Sequence, residues 1–150
     1  MANPYLELTG PSYSVSCKPV VAGGATEKWW RSKAGTGRYV MTDVTSAASG
    51  GSGLLPILLV TPDEAKIYGR LESVQGTGDR FTATVMILGA DMWALGDSTS
   101  NASITAAEIG ETLKGAGDGK LKIATGGSGR LVGGNKTDMR IALDGMHNLK

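Results

Sequence analysis

The feature that most constrains the fold of this chain is a two-residue alternation in the stretch from residue 80 to residue 88. Apolar side chains occupy every second position of this stretch: Phe81, Ala83, Val85 and Ile87. Because successive side chains of a β-strand point to opposite faces, all four would lie on one face of a strand. A second alternating segment precedes this stretch, and the sequence "QGTGD" joins the two. The pattern predicts a β-hairpin over residues 65–88, placed at the centre of the core.

Glycine punctuates the rest of the chain, with 23 glycines among 150 residues, roughly twice the ordinary frequency of about 7%. Further short segments that are alternating or apolar lie at residues 11–21, 27–32, 38–44, 54–60, 120–125, 129–133 and 138–145. We therefore expect a mainly β chain that forms a single domain over residues 1–150. The expected architecture is a barrel or sandwich of about eight short strands, with one or two short helices and long Gly/Ser loops.

Helix signals are few, and two stretches carry them. Residues 104–115 begin with a T-x-x-E capping box and are predicted to form the longer helix, whereas residues 61–69 leave room for one helical turn. Long polar loops are expected at residues 45–53 and 90–103. The apolar run that contains Pro56 is expected to be an edge strand or to carry a bulge, because proline cannot donate to a central ladder.

Charge and composition exclude several classes of function. The chain has 15 basic and 14 acidic residues spread along its length, so it lacks the basic stripe expected of a nucleic-acid-binding protein. Its longest apolar run, residues 54–60, is far shorter than the ~20 residues of a membrane-spanning helix. The N-terminal residues have neither the basic nor the apolar region of a secretory signal. Cys17 is the only cysteine, which rules out an intrachain disulfide, and we expect a protein made in a cytoplasm.

Two glycine-rich stretches resemble ligand-binding loops but depart from the patterns that such loops require. In residues 129–137, Asn135 stands where the Walker A pattern requires the glycine before Lys136, and a strand-like stretch follows. Residues 115–120 contain one carboxylate, Asp118, whereas calcium takes roughly six to eight oxygen ligands. The first stretch is therefore predicted to be a glycine-rich turn, and the second a helix C-cap followed by a hairpin turn.

No catalytic or metal site can be assembled from the sequence. His147 is the only histidine and stands far from Cys17 in the chain, and no nucleophile, base or carboxylate pair is recognisable. Zinc sites usually take about three or four His and Cys ligands, which is more than this chain contains. We therefore expect neither an enzyme nor a protein that needs a metal or cofactor. His147 is interpreted as a surface or interface residue.

The tryptophans stand out as candidates for contacts with other subunits. Trp29 and Trp30 are adjacent, and in the strand predicted there they would point to opposite faces. The outward ring either lies over its strand neighbours or anchors a subunit contact with Arg31 beside it, since Trp and Arg are enriched at interface hot spots. Met92 and Trp93 allow the same two interpretations. The candidate interface residues are therefore Trp29, Trp30, Arg31, Met92 and Trp93.

These properties together resemble those of the small virion proteins of tailed bacteriophages, in particular head decoration or cement proteins. The shared character is a small, near-neutral, glycine-rich β chain without an active-site signature, secretory signal or disulfide. The resemblance implies a virion protein assembled in the host cytoplasm, which self-associates as dimers or trimers and bridges major capsid subunits or other virion subunits. It would stabilise the shell by burying apolar surface and by adding loops or termini to exposed sheet edges, with no direct contact to nucleic acid or membrane.

Two other kinds of function remain open. A tail-tube, tail-completion or baseplate protein of the same kind of virus would share this composition. A small-ligand or carbohydrate-binding β-barrel would need a concave pocket lined by aromatic residues, and four Tyr, three Trp and one Phe are few for that purpose. The size of the purified protein discriminates between these kinds of function. A ligand-binding module can be monomeric, whereas a cement protein should self-associate or bind a shell.

Overall fold

Nine β-strands and one α-helix form the regular structure of residues 13–43 and 53–149, which are the residues described by the computed structural model. The strands are β1 (Tyr13–Pro19), β2 (Tyr39–Thr42), β3 (Leu55–Leu59), β4 (Gly69–Gln75), β5 (Thr82–Leu95), β6 (Leu113–Gly117), β7 (Lys120–Ile123), β8 (Arg130–Gly134) and β9 (Asp138–Asp144). The helix, α1, is Glu27–Lys33. No helix within these residues is long and apolar enough to cross a membrane. The prediction of a mainly β chain is confirmed.

Seven of these strands form one sheet in the order β1-β3-β2-β4-β5-β9-β8, and β6 pairs with β7 in a small second sheet. β5 also pairs with β1, so strand pairing runs through β1, β3, β2, β4 and β5 and returns to β1. The sheet is nevertheless not a closed barrel, and β9 and β8 continue outward from β5. β1 and β3 run parallel, whereas the other neighbouring strands of this sheet are antiparallel.

The predicted central hairpin is confirmed, with β4 and β5 as its two arms and a short 3₁₀ turn in the connection. The four alternating apolar residues of the second arm are at most 5% exposed: Phe81, Ala83, Val85 and Ile87. Val85 pairs with Leu71 of β4 on one side and with Val15 of β1 on the other. The hairpin therefore lies inside the sheet and contributes one continuous face to the core, as the alternation predicted.

β5 is longer than the sequence pattern indicated. It continues to Leu95, so the prediction of a polar loop over residues 90–103 is wrong for the first part of that range. Met92 and Ala94 are buried and pair with β9, because the alternation of buried side chains resumes after an irregularity in the β5–β9 ladder. The remainder of the predicted loop, residues 97–102, lies in neither a helix nor a strand.

The buried apolar residues form two clusters. The members of the first, which we call the ring core, come from α1 and from the strands that pair in a ring or directly precede them: Cys17, Trp30, Val40, Ile57, Leu59, Tyr68, Leu71, Val74, Phe81, Ala83, Val85 and Ile87. The second, which we call the outer core, is Tyr39, Met41, Val60, Ile67, Met92, Ala94, Leu113, Leu121, Leu131, Met139, Ile141 and Leu143. Since side chains alternate along a strand, β2 serves both clusters and forms a shared wall between them.

The strand predicted for residues 27–32 is wrong, because this stretch forms α1. Thr26 caps the helix, since its Oγ1 accepts a hydrogen bond of 3.3 Å from the Trp29 N–H. An acidic residue in the first turn pairs with Arg31 one turn later, and basic residues stand in the last turn. These helix signals outweigh the strand preference of the two aromatic residues. α1 contributes Trp30 to the ring core.

The helix predicted over residues 104–115 is also wrong. Its capping box does form, because the Glu108 carboxylate accepts hydrogen bonds from the N–H and the hydroxyl of Thr105. Only a three-residue 3₁₀ turn, Ala106–Glu108, follows the cap. Gly110, with φ of +90°, directs the chain away from a helix, and the chain then enters β6, which pairs with β7. Pairing with β7 therefore overrides the local preference for a helix.

A β-turn at the start of residues 61–69 replaces the helical turn predicted there. The Glu64 N–H donates to the Thr61 carbonyl over 3.2 Å, and Asp63 in the third position has φ of +65°. Proline in the second position and a positive φ in the third are features of a type II turn. A Thr-Pro-Asp sequence suits a turn as well as a helix N-terminus, and here the chain extends toward β4 after the turn.

β3 is an internal strand, so the edge position expected from Pro56 is wrong. β3 lies between β1 and β2 in the sheet. Pro56 is only its second residue, and the Pro56 carbonyl still accepts a hydrogen bond of 2.9 Å from the Asp43 N–H. Proline is tolerated near the start of a strand because few ladder bonds are lost there. The loop predicted at residues 45–53 lies outside the described residues except for Gly53.

The outer strand β8 has main-chain partners on the side away from β9. The Leu131 N–H donates to the Glu111 carbonyl over 2.9 Å, and the Leu131 carbonyl accepts from the Gly110 N–H over 2.8 Å. Just beyond the strand, the Lys136 N–H donates to the Ala102 carbonyl over 2.9 Å. An edge covered in this way offers few main-chain groups to an added strand. Within the described residues, the edge at β8 is therefore protected against strand addition.

Candidate interaction groove

An apolar groove, which we call the α1 groove, opens between α1, the loop before it, the end of β3 and the turn that follows. Its cavity volume is about 360 Å³. The wall residues used below are Ala22, Ala25, Trp29, Leu58, Pro62 and Asp118. A concave site lined by apolar and aromatic side chains with a few polar groups is the usual form of a binding site. We therefore take the α1 groove as the candidate functional site.

The two adjacent tryptophans divide between the ring core and the groove because α1 is a helix. Neighbouring residues of a helix are about 100° apart around its axis, so one ring can be buried while the next lies at the surface. Trp30 is 1% exposed, and its Nε1–H donates to the Val20 carbonyl over 3.1 Å. Trp29 is half-buried and packs edge-on against Trp30, with ring centroids 5.2 Å apart and planes at 87°. Trp29 is therefore the ring that a partner can reach, and Trp30 supports it from within.

Asp118 holds two cations beside the groove. The Lys33 Nζ lies 3.0 Å from its carboxylate, and the Arg38 Nη2 lies 3.4 Å from it. Burial alone would raise the pKa of Asp118, but the hydrogen bonds and charges of Lys33 and Arg38 together outweigh burial and hold the pKa below its ordinary value. The Lys33 ammonium also lies 5.4 Å from the centre of the Trp29 ring, which is within cation–π range. Two cations and one carboxylate make this part of the rim basic.

Asp118 reaches the groove from a tight turn between β6 and β7. Asp118 and Gly119 have φ of +53° and +76°, as the two central residues of a type I′ hairpin turn require. A Cβ added to Gly119 would lie 2.7 Å from the Cβ of Arg38. The turn therefore packs directly on Arg38, which also pairs with the Asp118 carboxylate of the same turn. The turn predicted within residues 115–120 is confirmed, whereas β6 takes the place of the helix C-cap predicted before it.

Arg31, which was expected beside an interface tryptophan, joins α1 to the end of β4. Its Nη1 donates to the Val74 carbonyl over 2.8 Å, and its Nη2 donates to the Gly76 carbonyl over 2.7 Å. Its Nε pairs with Glu27 over 2.9 Å. Arg31 therefore positions the helix that carries Trp29. A contact between Arg31 and another subunit stays a prediction.

Met92 and Trp93 lie in the second half of β5 and are not part of the groove wall. Met92 is 2% exposed and belongs to the outer core. Trp93 is half-buried, its Nε1–H donates to Asp138 over 3.1 Å, and a Cβ added to Gly37 would lie 3.1 Å from its ring. The structure thus brings Trp29 and Trp30 to the α1 groove and places Met92 and Trp93 outside it.

Lys18 is a buried charged residue that sequence reasoning missed. Lys18 follows Ser14 and Ser16 at alternate positions of β1, which predicts a polar face for it, yet it is only 2% exposed. Its Nζ donates to the Phe81 carbonyl over 2.7 Å and to the Asp79 carbonyl over 2.9 Å, and it lies 3.9 Å from the centroid of the Phe81 ring. Burial lowers the pKa of Lys18, and the charge of Asp79 opposes this shift. Alternation assigns a residue to a face but does not show that a distant turn covers that face.

We expect no nucleotide binding at residues 129–137, which contain β8 and its turn into β9. The Asn135 side-chain oxygen accepts hydrogen bonds from two N–H groups that follow it, so the backbone N–H groups of the turn bind this side chain. The Lys136 ammonium is paired with the Glu108 carboxylate. Titration with ATP and magnesium should therefore show no saturable binding. Saturable binding that disappears in Lys136→Ala would contradict this expectation.

The same ion pair leads to a pH-dependent prediction. The hydrogen bond from Lys136, followed by those from Thr105, lowers the pKa of Glu108 from 4.5 to about 2. Because the pKa in the folded state lies below the unfolded value, the ionised carboxylate contributes stability above about pH 4.5 and loses this contribution as the pH falls toward about 2. Urea unfolding at a series of pH values should show a smaller acid-induced loss of stability in Glu108→Gln than in the unaltered chain. Equal losses in the two proteins would contradict the prediction.

Other chemically distinctive side chains do not add a reactive centre within the described residues. Cys17 lies in the ring core, and burial raises the pKa of its thiol to about 12, so the thiol stays protonated near neutral pH. His147 is exposed, and its Nε2 lies 4.0 Å from the Asp144 carboxylate. No group of three or more His, Cys, Asp or Glu side chains in the described part of the chain is arranged to hold a metal ion. That the chain is not an enzyme stays a prediction.

Comparison with known proteins gives no relative: no family, curated protein or solved structure matches this chain. The functional argument therefore depends on the α1 groove, its charges and the character of the sequence.

Proposed function

We propose that this chain is a structural protein of a tailed-bacteriophage virion that decorates the capsid and stabilises it by bridging major capsid subunits. The character of the sequence supports this class of protein. The α1 groove is the observation that carries the proposal, because it presents a partly exposed tryptophan on an apolar surface. In this proposal the protein acts on the virion, without catalysis and without a cofactor.

The energetics of Trp29 support a role in attachment. A tryptophan buries on the order of 200 Å² when fully covered, and each Å² of apolar surface removed from water is worth about 25 cal/mol. Trp29 is half-buried in the isolated chain, so a partner that covers the rest of its ring and the groove wall gains on the order of 2 kcal/mol at this residue. Lys33, Arg38 and Asp118 form a polar rim beside it, which is the arrangement typical of an interface hot spot.

The covered edge of β8 supports attachment through side chains rather than through an added strand. Its main-chain groups at Leu131 are already bonded to Gly110 and Glu111. Strand addition requires free N–H and C=O groups along an edge. We therefore place the main attachment at the α1 groove and not at the edge formed by β8.

Trp29→Ala is expected to weaken attachment to the assembled particle by about 30-fold, which corresponds to ~2 kcal/mol, while the free protein stays folded with a melting temperature lowered by only a few degrees. The measurement is retention on purified particles at increasing dilution, together with thermal melting of the free protein. Trp93→Ala is the matched control, because it removes another half-buried tryptophan outside the groove. Trp93→Ala should attach normally, although it also melts at a lower temperature than the unaltered chain. Normal attachment of Trp29→Ala would overturn the proposed role of the groove.

A tail-tube, tail-completion or baseplate role is the alternative within the same class of proteins. It shares the composition and would use the same groove. Labelling the chain on intact particles separates the two locations, because a decoration protein appears around the head in many copies. Label confined to the tail would replace the capsid role with the tail role.

The volume of the α1 groove favours one candidate of another class, a module that binds a small apolar ligand. Its ~360 Å³ lies at the lower end of the range of about 300–1,000 Å³ found for ligand pockets. Such a module can be monomeric, and a bound ligand would change the fluorescence of Trp29. A monomeric chain that also responds in this way to small apolar compounds would favour this function over assembly.

A further inference from the structure

The loop that joins the arms of the central hairpin, which we call the β4–β5 loop, comprises residues 76–81. Residues 76–80 are all exposed, and the 3₁₀ turn within the loop has no side-chain cap. Gly76 and Gly78 have φ of +79° and +64°, a region that glycine adopts without strain. A loop of this kind is held in place by its contacts with other elements, and two cationic side chains make those contacts.

Arg31 of α1 holds the start of the loop. Its Nη1 donates to the Val74 carbonyl over 2.8 Å, and its Nη2 donates to the Gly76 carbonyl over 2.7 Å. The Nε of the same guanidinium pairs with Glu27 over 2.9 Å, one turn earlier in the helix. Hydrogen bonds from a charged donor are roughly twice as strong as neutral ones. Arg31 therefore joins α1 firmly to the β4–β5 loop.

Lys18 of β1 holds the end of the loop. Its Nζ donates to the carbonyls of Asp79 and Phe81 over 2.9 Å and 2.7 Å, and it lies 3.9 Å from the centre of the Phe81 ring. Lys18 is 2% exposed and Phe81 is 1% exposed, so the end of the loop covers this ammonium and one side of the ring core. The loop can move outward only if these contacts break.

We propose that the β4–β5 loop and α1 open as one cooperative unit, in which Lys18 holds the loop closed and Arg31 transmits its release to the helix. Because α1 carries Trp29, this unit sets the shape of the α1 groove. The inference goes beyond the proposed function and applies to the free protein. An occupant that prefers the closed groove would also hold the loop closed, because linkage of this kind is reciprocal.

The length of α1 favours a shared opening over two independent ones. α1 has seven residues, whereas isolated helices shorter than about 12–15 residues are marginal in water. The helix therefore depends on tertiary contacts, and the two that anchor it most directly are the burial of Trp30 in the ring core and the hydrogen bonds of Arg31 to the hairpin. Movement of the loop removes the second anchor.

Amide hydrogen exchange of the full-length free protein, followed by mass spectrometry, tests the inference. Lys18→Met removes the ammonium but keeps an apolar side chain of similar length, a change that buried sites often tolerate. Exchange should become about ten-fold faster at the paired residues Gln75 and Thr82 beside the loop, and also in residues 30–34 of α1 and its C-cap. Lys122→Met is the matched control, because it removes an ion-paired ammonium on β7, and it should leave both regions unchanged.

Arg31→Met tests whether Arg31 transmits the release. This variant alone should speed exchange in residues 30–34. When Lys18→Met is added to it, exchange at Gln75 and Thr82 should rise again, while exchange in residues 30–34 should not rise further. A further rise in residues 30–34 of about ten-fold would show that Lys18 acts on the helix without Arg31, and the inference would be wrong.

Two results with Lys18→Met alone would also overturn the inference. The first is unchanged exchange in residues 30–34, because the loop would then open without α1 or would not depend on Lys18. The second is an equal acceleration at Leu71 and Val85, which pair in the middle of the hairpin, because the effect would then be a loss of global stability. Neither result bears on attachment to particles, which Trp29→Ala tests separately.

Discussion

Replacing Trp30 by alanine is expected to lower the free energy of unfolding by about 3–5 kcal/mol, among the largest losses of any single side chain in this protein. Trp30 is 1% exposed and packs in the ring core among residues of the paired strands. Its removal leaves a cavity and also leaves the Val20 carbonyl without the indole N–H that it accepts at 3.1 Å. The cavity and the lost hydrogen bond both lower the free energy of unfolding.

Urea unfolding of the purified protein measures this loss, with two matched controls. Trp30→Phe keeps an aromatic ring but removes the N–H donor, so its loss should be intermediate. Trp29→Ala removes the neighbouring, half-buried ring and should cost about 1–2 kcal/mol, because that ring buries less surface. If Trp30→Ala cost no more than Trp29→Ala, the assignment of the two rings to core and surface would be wrong.

Gly145→Ala is expected to destabilise the protein by about 3 kcal/mol or more, although it adds only one methyl group. An added Cβ would lie 1.7 Å from the Tyr68 carbonyl oxygen and 3.1 Å from the Ile87 carbonyl oxygen. The Gly145 N–H itself donates to that Ile87 carbonyl over 2.7 Å. The methyl group fits only if the end of β9 moves away from β4 and β5, which would disturb the ring core and the outer core together.

Gly133→Ala is the matched control for this prediction. It makes the same chemical change in β8, where an added Cβ meets nothing within 4 Å. Its effect on the free energy of unfolding should stay within about 0.5 kcal/mol. Thermal or urea unfolding of both variants checks the prediction, and equal stabilities of the two would refute the close approach at Gly145.

The prediction for Trp30 also affects how attachment through the α1 groove is tested. Trp30 supports Trp29 from within the ring core, so Trp30→Ala should impair attachment indirectly by loosening α1. An attachment defect is therefore evidence for a contact only when the free protein remains folded. Trp29→Ala satisfies this requirement, which is why it carries the functional test.

Sequence alternation predicted the strands whose pattern is local and repeated. In β9, for example, Met139, Ile141 and Leu143 stand at alternate positions, which predicts one shared face, and all three are at most 2% exposed. The same reasoning failed at residues 27–32, because two adjacent aromatic residues suggested a strand while the cap at Thr26 favoured a helix. Where propensity and capping disagree over a few residues, the contacts made in the folded chain decide between them.

The candidate site was predicted only in part. Trp29 was one of five candidate interface residues, and it was selected from a strand geometry that the structure replaces with a helix. Asp118 was considered for calcium binding, whereas its carboxylate instead pairs with Lys33 and Arg38. Arg38, for example, is 80 residues from Asp118 in the sequence. A local sequence pattern cannot predict a contact between residues so far apart.

By itself, the sequence determined the β character of the chain, its central hairpin, its glycine-rich turns and the burial of the alternating apolar residues. Each of these follows from short-range chemistry, because side-chain alternation and turn preferences act over a few residues. Only the tertiary structure decided that β5 pairs with both β1 and β9, that Lys18 is covered by a distant turn, and that Trp29 and Asp118 share a groove. Those features arise from packing between segments far apart in the chain, and the free energy of that packing depends on every element that takes part in it.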